Sequence, residues 1–403
     1  MAGGLPKVDC DFPGGNIVVD SINGDTVSLH QDLRDTEGNW FYWYFRVRGA
    51  AGRTLHFKFD GENVMDRTGP VARMNSGGRT YGWRNVIGVR GPAVSLDSGR
   101  TWRWLGNENV KGASFSYAIP RNAEEVRFAV AMPYVESNLH EFLNRYRGNP
   151  NLTAETLCQT KKGRPVKLLH LGKLDGQPDY RVLLTARHHA CETMASYSLE
   201  GILAAILADN DDGIWFRTHV EFLVVPFVDT DGVQDGDQGK NRRPHDHNRD
   251  YSGESIYSSV RTLREMVPHW SGGRLRFALD MHCPDLRGAE DQNISFIGGR
   301  DLQIWKRVER FSSILESVQS GPLVFSSRNN LPYGKSWNTS RNTGTDKTFD
   351  MWASELPGIQ IATTIEIPYA TAGRQPVTPE SSRDLGLDIA HALRRYLMGT
   401  SRE

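Results

Sequence analysis

A change of hydrophobic period near Pro133 constrains this chain more than any other feature. Before it, apolar residues come in short runs with the character of strands. The run Trp40-Phe-Tyr-Trp-Tyr-Phe-Arg-Val-Arg48 is aromatic and β-branched, and Thr54-Leu-His-Phe-Lys-Phe59 alternates cleanly. Residues 101–105 and 126–130 continue the pattern between Gly, Asp, Asn and Ser punctuation. Many short strands predict a β-sandwich over residues 1–132, with the aromatic clusters as its core. After Pro133, Leu139, Phe142 and Tyr146 fall at helical spacing, with Ser137 or Asn138 as the cap. Strand-like runs at 166–171, 180–185, 220–228, 275–280 and 359–367 then alternate with helical stretches at 192–207, 301–317 and 381–398. This alternation predicts an α/β fold over residues 133–403, a mostly parallel mixed sheet flanked by helices and preceded by the small all-β sandwich. Sheets of this kind place their sites at the carboxyl ends of strands.

At 403 residues the chain has room for two domains. Its 38% hydrophobic and 24% charged content is that of a folded, soluble protein. Lys plus Arg and Asp plus Glu number 48 each, so no global field favours nucleic acid or a membrane surface, and neither is expected as a partner. No apolar run approaches the length of a membrane span, and the first residues lack the apolar core of a signal peptide, so a cytoplasmic location is expected. Cys10, Cys158, Cys191 and Cys283 are too scattered for a disulfide framework. Cys191 and Cys283 flank the histidines described next; small buried side chains are expected there rather than ligands or nucleophiles.

His189-Ala-Cys-Glu192 directly follows the run 180–185 and precedes a helical stretch. The histidine then sits on the loop and the glutamate in the first helical turn, so both face one point. His282 closes a second strand-like run, Phe277-Ala-Leu-Asp-Met-His282. Two imidazoles and a carboxylate leave one zinc position open for water, the composition of a catalytic site with one zinc per chain. His188 competes with His189, and the spacing to Glu192 favours His189. Asp246, in the loop that follows the run 220–228, is suited to accept from the second ring nitrogen of a metal-bound histidine. Arg242, Arg243 and Arg249 of that loop offer planar, permanently charged forks for a carboxylate or a developing oxyanion. A charged surface loop is the alternative.

Glu366 stands in the last apolar strand, Thr363-Thr-Ile-Glu366, where a charge is costly without a task or a partner. Near a zinc-activated water it can serve as general base and then general acid; a structural ion pair is the alternative. The acidic stretch 229–237 looks superficially like a calcium loop. The EF-hand spacing would put Val233 and Lys240 where an oxygen ligand and a glutamate belong, which leaves only a turn.

The order His-x-x-Glu, Asp-x-Asn-Arg, Asp-Met-His, Thr-Ile-Glu resembles the zinc metallocarboxypeptidase family. The run 40–47, Ser95-Leu-Asp-Ser-Gly-Arg-Thr-Trp102 and Ala131-Met-Pro-Tyr-Val-Glu136 are similar to the β-sandwich and junction of its cytosolic-carboxypeptidase-like branch. The resemblance implies a carboxypeptidase-like catalytic domain in which His189, Glu192 and His282 bind zinc and Asp246 orients His189. It implies that Asn248 and Arg249 hold the substrate's terminal carboxylate and that Glu366 is the general base and acid. It further implies an arginine that polarises the scissile carbonyl, assigned to Arg242 with Arg243 next, and a basic specificity residue, assigned to Lys347. The tyrosine that the family presents over the bound C-terminus has no match, because Tyr333 stands too far before Glu366.

The expected function is hydrolysis of the C-terminal amide bond, with a peptide or protein C-terminus as substrate. A zinc amidase or deacylase acting on an N-acyl amino acid or cell-wall peptide would share the metal set. A catalytically inactive peptide-binding protein is the third alternative.

Overall fold

The computed structural model describes residues 5–59, 73–74, 80–81, 86–174 and 176–400. Two five-stranded sheets face each other in its N-terminal part. One runs in the order Lys7–Asp9, Tyr44–Arg48, Glu125–Ala129, Ala93–Ser95, Arg103–Trp104, and the other Val110–Lys111, Ser114–Ala118, Thr54–Phe59, Thr26–His30, Val18–Asn23. The Thr54–Phe59 strand buries Leu55, Phe57 and Phe59 and exposes the residues between them, as a strand with one wet face must. Trp43, Phe45, Phe57, Phe115 and Phe128 fill the space between the sheets, with the Phe57 and Phe115 rings 4.8 Å apart. The aromatic run 40–48 is a strand only over Tyr44–Arg48. Its earlier residues leave the ladder to dock elsewhere: Tyr42 N donates to Gln238 Oε1 at 2.7 Å, and Gln238 Nε2 donates back to Tyr42 O at 2.8 Å.

The remainder builds a seven-stranded mixed sheet in the order Leu152–Gln159, Pro165–Gly172, Val220–Val225, Tyr180–Ala186, Leu275–His282, Ile361–Glu366, Ser295–Ile297. The four middle strands are parallel and the outer three pair antiparallel. Burial on both faces accounts for the near-continuous apolar runs of the middle strands. Leu183, Leu223, Ala278 and Ala362 pack on one face against Val260, Leu263 and Val267 of the Ser258–Ser271 helix. Their neighbours Val182, Leu184, Phe277 and Leu279 point to the other face, toward the helices Thr193–Leu207, Leu302–Val318 and Pro379–Thr400.

The Thr193–Leu207 helix is buried almost all round, between the sheet and the C-terminal helix. A Cβ added at Gly201 would lie 2.0 Å from Arg383 O, and one at Gly386 would lie 2.1 Å from Ser198 O. The two glycines let these helix backbones touch.

The first helix begins at Glu136, ahead of both expected caps. Val135 is its N-cap, and Asn138 reaches back so that its Oδ1 accepts from Val135 N at 2.9 Å. The edge strand Leu152–Gln159 is mostly exposed and shows no alternation, and the Ser258–Ser271 helix carries Pro268 inside it, so neither announces itself in the sequence. Among the described residues no helix is long and apolar enough to cross a membrane.

Candidate metal centre and active site

Three parallel strands bring the chemistry to one edge of the sheet. Tyr180–Ala186 delivers His188 and His189 just past its end, Leu275–His282 ends on His282, and Ile361–Glu366 ends on Glu366. Between the first of these strands and its helix the chain turns sharply. Arg187 adopts φ +60°, and its buried guanidinium donates to Ala190 O (3.0 Å), Tyr134 O (2.9 Å) and Ser196 Oγ (3.1 Å). That turn returns Glu192 to the side of His189.

His189 Nδ1 and His282 Nδ1 lie 3.2 Å apart, with Glu192 Oε1 3.0 Å from the first and Oε2 2.8 Å from the second. Both rings are fixed from behind by carboxylates. His189 Nε2 is 3.1 Å from Asp246 Oδ1, and His282 Nε2 contacts Asp280 Oδ2. This backing turns the two Nδ1 atoms to one point. Despite its proximity to His282, Glu192 Oε2 makes no hydrogen bond of acceptable geometry, although it is fully buried. An orphaned carboxylate oxygen between two converging imidazole nitrogens fits a divalent metal that takes two nitrogens and one oxygen from protein, as zinc does.

His188 is not part of that set. Its Nδ1 is 2.9 Å from Asp280 Oδ1 and its Nε2 2.8 Å from Tyr251 OH, which commits both ring nitrogens. His188, Asp280 and His282 also cluster closely enough to hold an ion. Their facing atoms, however, are those that brace the two rings.

The charges here are interdependent. Burial works to raise the Glu192 carboxyl, yet His282, Lys240 and His189 hold it well below the usual range. Glu366 is pushed up to about 7 by burial, with Lys240 and His282 opposing, and its Oε2 has no hydrogen-bond partner. Lys240 was not singled out in the sequence. Its ammonium lies 2.6 Å from Glu192 Oε1, donates to Cys283 O at 2.8 Å and sits 5.6 Å from the Trp40 ring centroid. Burial works against its charge, and Glu192 more than restores it.

A cleft of about 530 Å³ opens over these groups, and Lys240, Asn248, Arg249 and Glu366 line it together with Trp40 of the N-terminal sandwich. Asn248 Oδ1 accepts from Phe349 N at 2.8 Å, and Arg249 donates to Asn248 O at 2.8 Å. The sandwich holds the loop that carries Lys240. The Asp35 carboxylate accepts from Gln238 N (3.1 Å) and Gly239 N (2.9 Å), and Arg243 N donates to Asp35 O (2.8 Å).

Three sequence-assigned residues are not brought to the cleft. Arg242 is bound by Asp229 and Asp237, the latter at 2.8 Å, with Asp35 at 3.7 Å. Buried acids that were distant or unassigned in the sequence claim its guanidinium, and the calcium-like stretch 229–237 serves to bind it. Arg243 is exposed, 3.5 Å from Glu37. The Lys347 ammonium is taken by the Glu355 carboxylate at 2.7 and 2.8 Å, outside the cleft. Cys191 and Cys283 are buried and unpaired by disulfide, and neither belongs to the ligand sets. Asp280 was also missed. Its one signal is a carboxylate inside a buried strand, the same signal that marked Glu366.

No family model matches the chain. It is 24% identical to cytosolic carboxypeptidase 2 of Xenopus tropicalis over 380 residues, covering 89% of this chain and 38% of that protein. It is 30% identical to cytosolic carboxypeptidase 3 of Mus musculus over 195 residues, 46% of this chain and 19% of that one. The chain thus spans well under half the length of these relatives. A metallo-carboxypeptidase from Burkholderia cenocepacia shares its fold end to end, with a TM-score of 0.75 at 21% identity, covering 98% of this chain and 100% of the other. In sequence the chain is thus similar to cytosolic carboxypeptidases, and over nearly its whole length it has the fold of a metallo-carboxypeptidase.

Proposed function

We propose that this chain is a zinc-dependent carboxypeptidase that hydrolyses the C-terminal amide bond of a peptide or protein. The observation that carries this is the clustering of the His189, Glu192 and His282 ligand atoms at a cleft that His189, His282, Glu366 and Arg249 line. Zinc held by those three side chains supplies a Lewis acid and a water of lowered pKa. Glu366, buried and raised to about 7, takes the proton of the attacking water and hands it to the leaving amine. Lys240 places a fixed positive charge beside the ligand set, where it stabilises the developing oxyanion, in the part first assigned to Arg242. Arg249, with Asn248 beside it, pairs with the free terminal carboxylate and makes the activity an exopeptidase one.

The test uses the zinc-loaded chain and matched peptides with free and amidated C-termini. Release of the last residue from the free peptides alone is expected. Comparable cleavage of the amidated peptides would sink the carboxylate clamp.

A further inference from the structure

We infer that Tyr251 and His188 are positioning residues for the metal, which act through Asp280 to fix the hydrogen of His282 on Nε2 and present its bare Nδ1 to the ion. This rests on the zinc set proposed above and names what holds one of its ligands. Tyr251, His188, Asp280 and His282 form an unbroken line of contacts, and none of them is more than 2% exposed. Tyr251 OH lies 2.8 Å from His188 Nε2, and His188 Nδ1 lies 2.9 Å from Asp280 Oδ1. Asp280 Oδ2 then contacts His282 Nε2.

The direction of the line follows from its donors. Among the described residues the Tyr251 hydroxyl has no other hydrogen-bond partner, so its hydrogen goes to His188 Nε2. A neutral imidazole that accepts at one nitrogen donates at the other, which points the Nδ1 hydrogen at Asp280 Oδ1. That oxygen also accepts from the Thr185 hydroxyl at 2.8 Å. Asp280 Oδ2 is left to take the Nε2 hydrogen of His282. This charged, shorter contact prevails over the Asn248 amide, 3.3 Å from the same nitrogen. His282 Nδ1 therefore faces Glu192 Oε2, at 2.8 Å, with a lone pair, as a ligand must.

The far end of the line is anchored by packing. The Tyr251 ring stands 5.8 Å from the Phe349 ring and 5.2 Å from that of Trp352, centroid to centroid, so its hydroxyl cannot swing to water. His189 is supported differently, because the backbone N–H groups of Asn248 (2.8 Å) and Asn241 (3.0 Å) steer its partner Asp246. One ligand is set by main chain and the other by side chains, and only the second support is open to substitution. Loss of the Tyr251 hydroxyl leaves His188 Nε2 a buried acceptor without a donor. The ring form with hydrogen on Nε2 is then favoured, and it turns a lone pair on Asp280.

The experiment measures zinc affinity of the full-length, chelator-stripped protein by competition with a chromophoric chelator, with no peptide present. Tyr251→Phe is expected to weaken zinc by about 10-fold. His188→Asn offers Asp280 an amide N–H that owes nothing to Tyr251. It should stay within about 3-fold of wild type, and adding Tyr251→Phe to it should cost nothing further. Wild-type affinity in Tyr251→Phe, or the same loss in the His188→Asn background, would overturn the inference. A second reading needs Tyr251→Phe alone: the visible bands of its cobalt(II)-loaded form should shift from those of wild type, and unshifted bands would overturn it. No zinc bound by the wild type would overturn the zinc set and this inference with it. The expected affinities without release from any peptide would support the inference and count against the carboxypeptidase function alone.

Discussion

His282 and Glu366 are register partners at the carboxyl ends of neighbouring parallel strands. His282 turns Nδ1 toward Glu192, and Glu366 stands one strand away with Oε2 uncommitted. Glu366→Gln keeps the shape and removes the proton acceptor. kcat should fall by about 10²–10⁴-fold while bound zinc, read by metal analysis, stays at the wild-type level. Wild-type turnover in this variant would remove Glu366 from the mechanism.

Asp280 braces both His188 and His282 and donates nothing to the cleft itself. Replacing it with Asn weakens the backing of a ligand without touching the ligand. Zinc affinity, measured by competition with a chromophoric chelator, should drop by about 10–100-fold. An unchanged affinity would show that His282 is oriented by something else.

Arg242 is assigned to the fold rather than to the chemistry. Truncation to Ala leaves Asp229 and Asp35 buried without their cation and Asp237 with Arg34 alone, and stability should fall by about 3–5 kcal/mol. Thermal unfolding reads this directly. A variant with an unshifted Tm and a lost kcat would return Arg242 to the reaction.

Asp212 ties the Asp211–His219 helix to the C-terminal helix through His391 and Arg394, each at 2.7 Å. Burial works to raise its carboxyl, but those two partners hold it below its ordinary value of 3.8. A carboxyl depressed in the folded state contributes stability above its unfolded pKa and loses it as pH falls through the folded value. Asp212→Asn should therefore lower Tm at pH 7, and the gap to wild type should close as pH drops below 3.8. A gap that widens in acid would contradict the assignment.

The strand ends were legible because a strand buried on both faces is written as an apolar run, and a histidine or glutamate closing such a run stands out. His282 and Glu366 were found that way. The loop 239–249 was not legible in the same sense. Lys240, Arg242 and Arg243 are chemically alike in sequence, and their fates are set by Asp35, Asp229 and Glu192, which lie elsewhere in the chain. Trp40 lies among core aromatics of the same composition, and only the departure of its segment from the ladder takes it to the cleft.

The most direct test of the metal set is a titration of zinc into chelator-stripped protein while terminal-residue release is followed by mass spectrometry. Release should be absent without metal, rise in proportion to bound zinc and level off at one equivalent per chain, and His282→Ala should abolish both binding and release. Full release from metal-free protein, or none from protein holding one zinc across a panel of free-carboxylate peptides, would contradict the account.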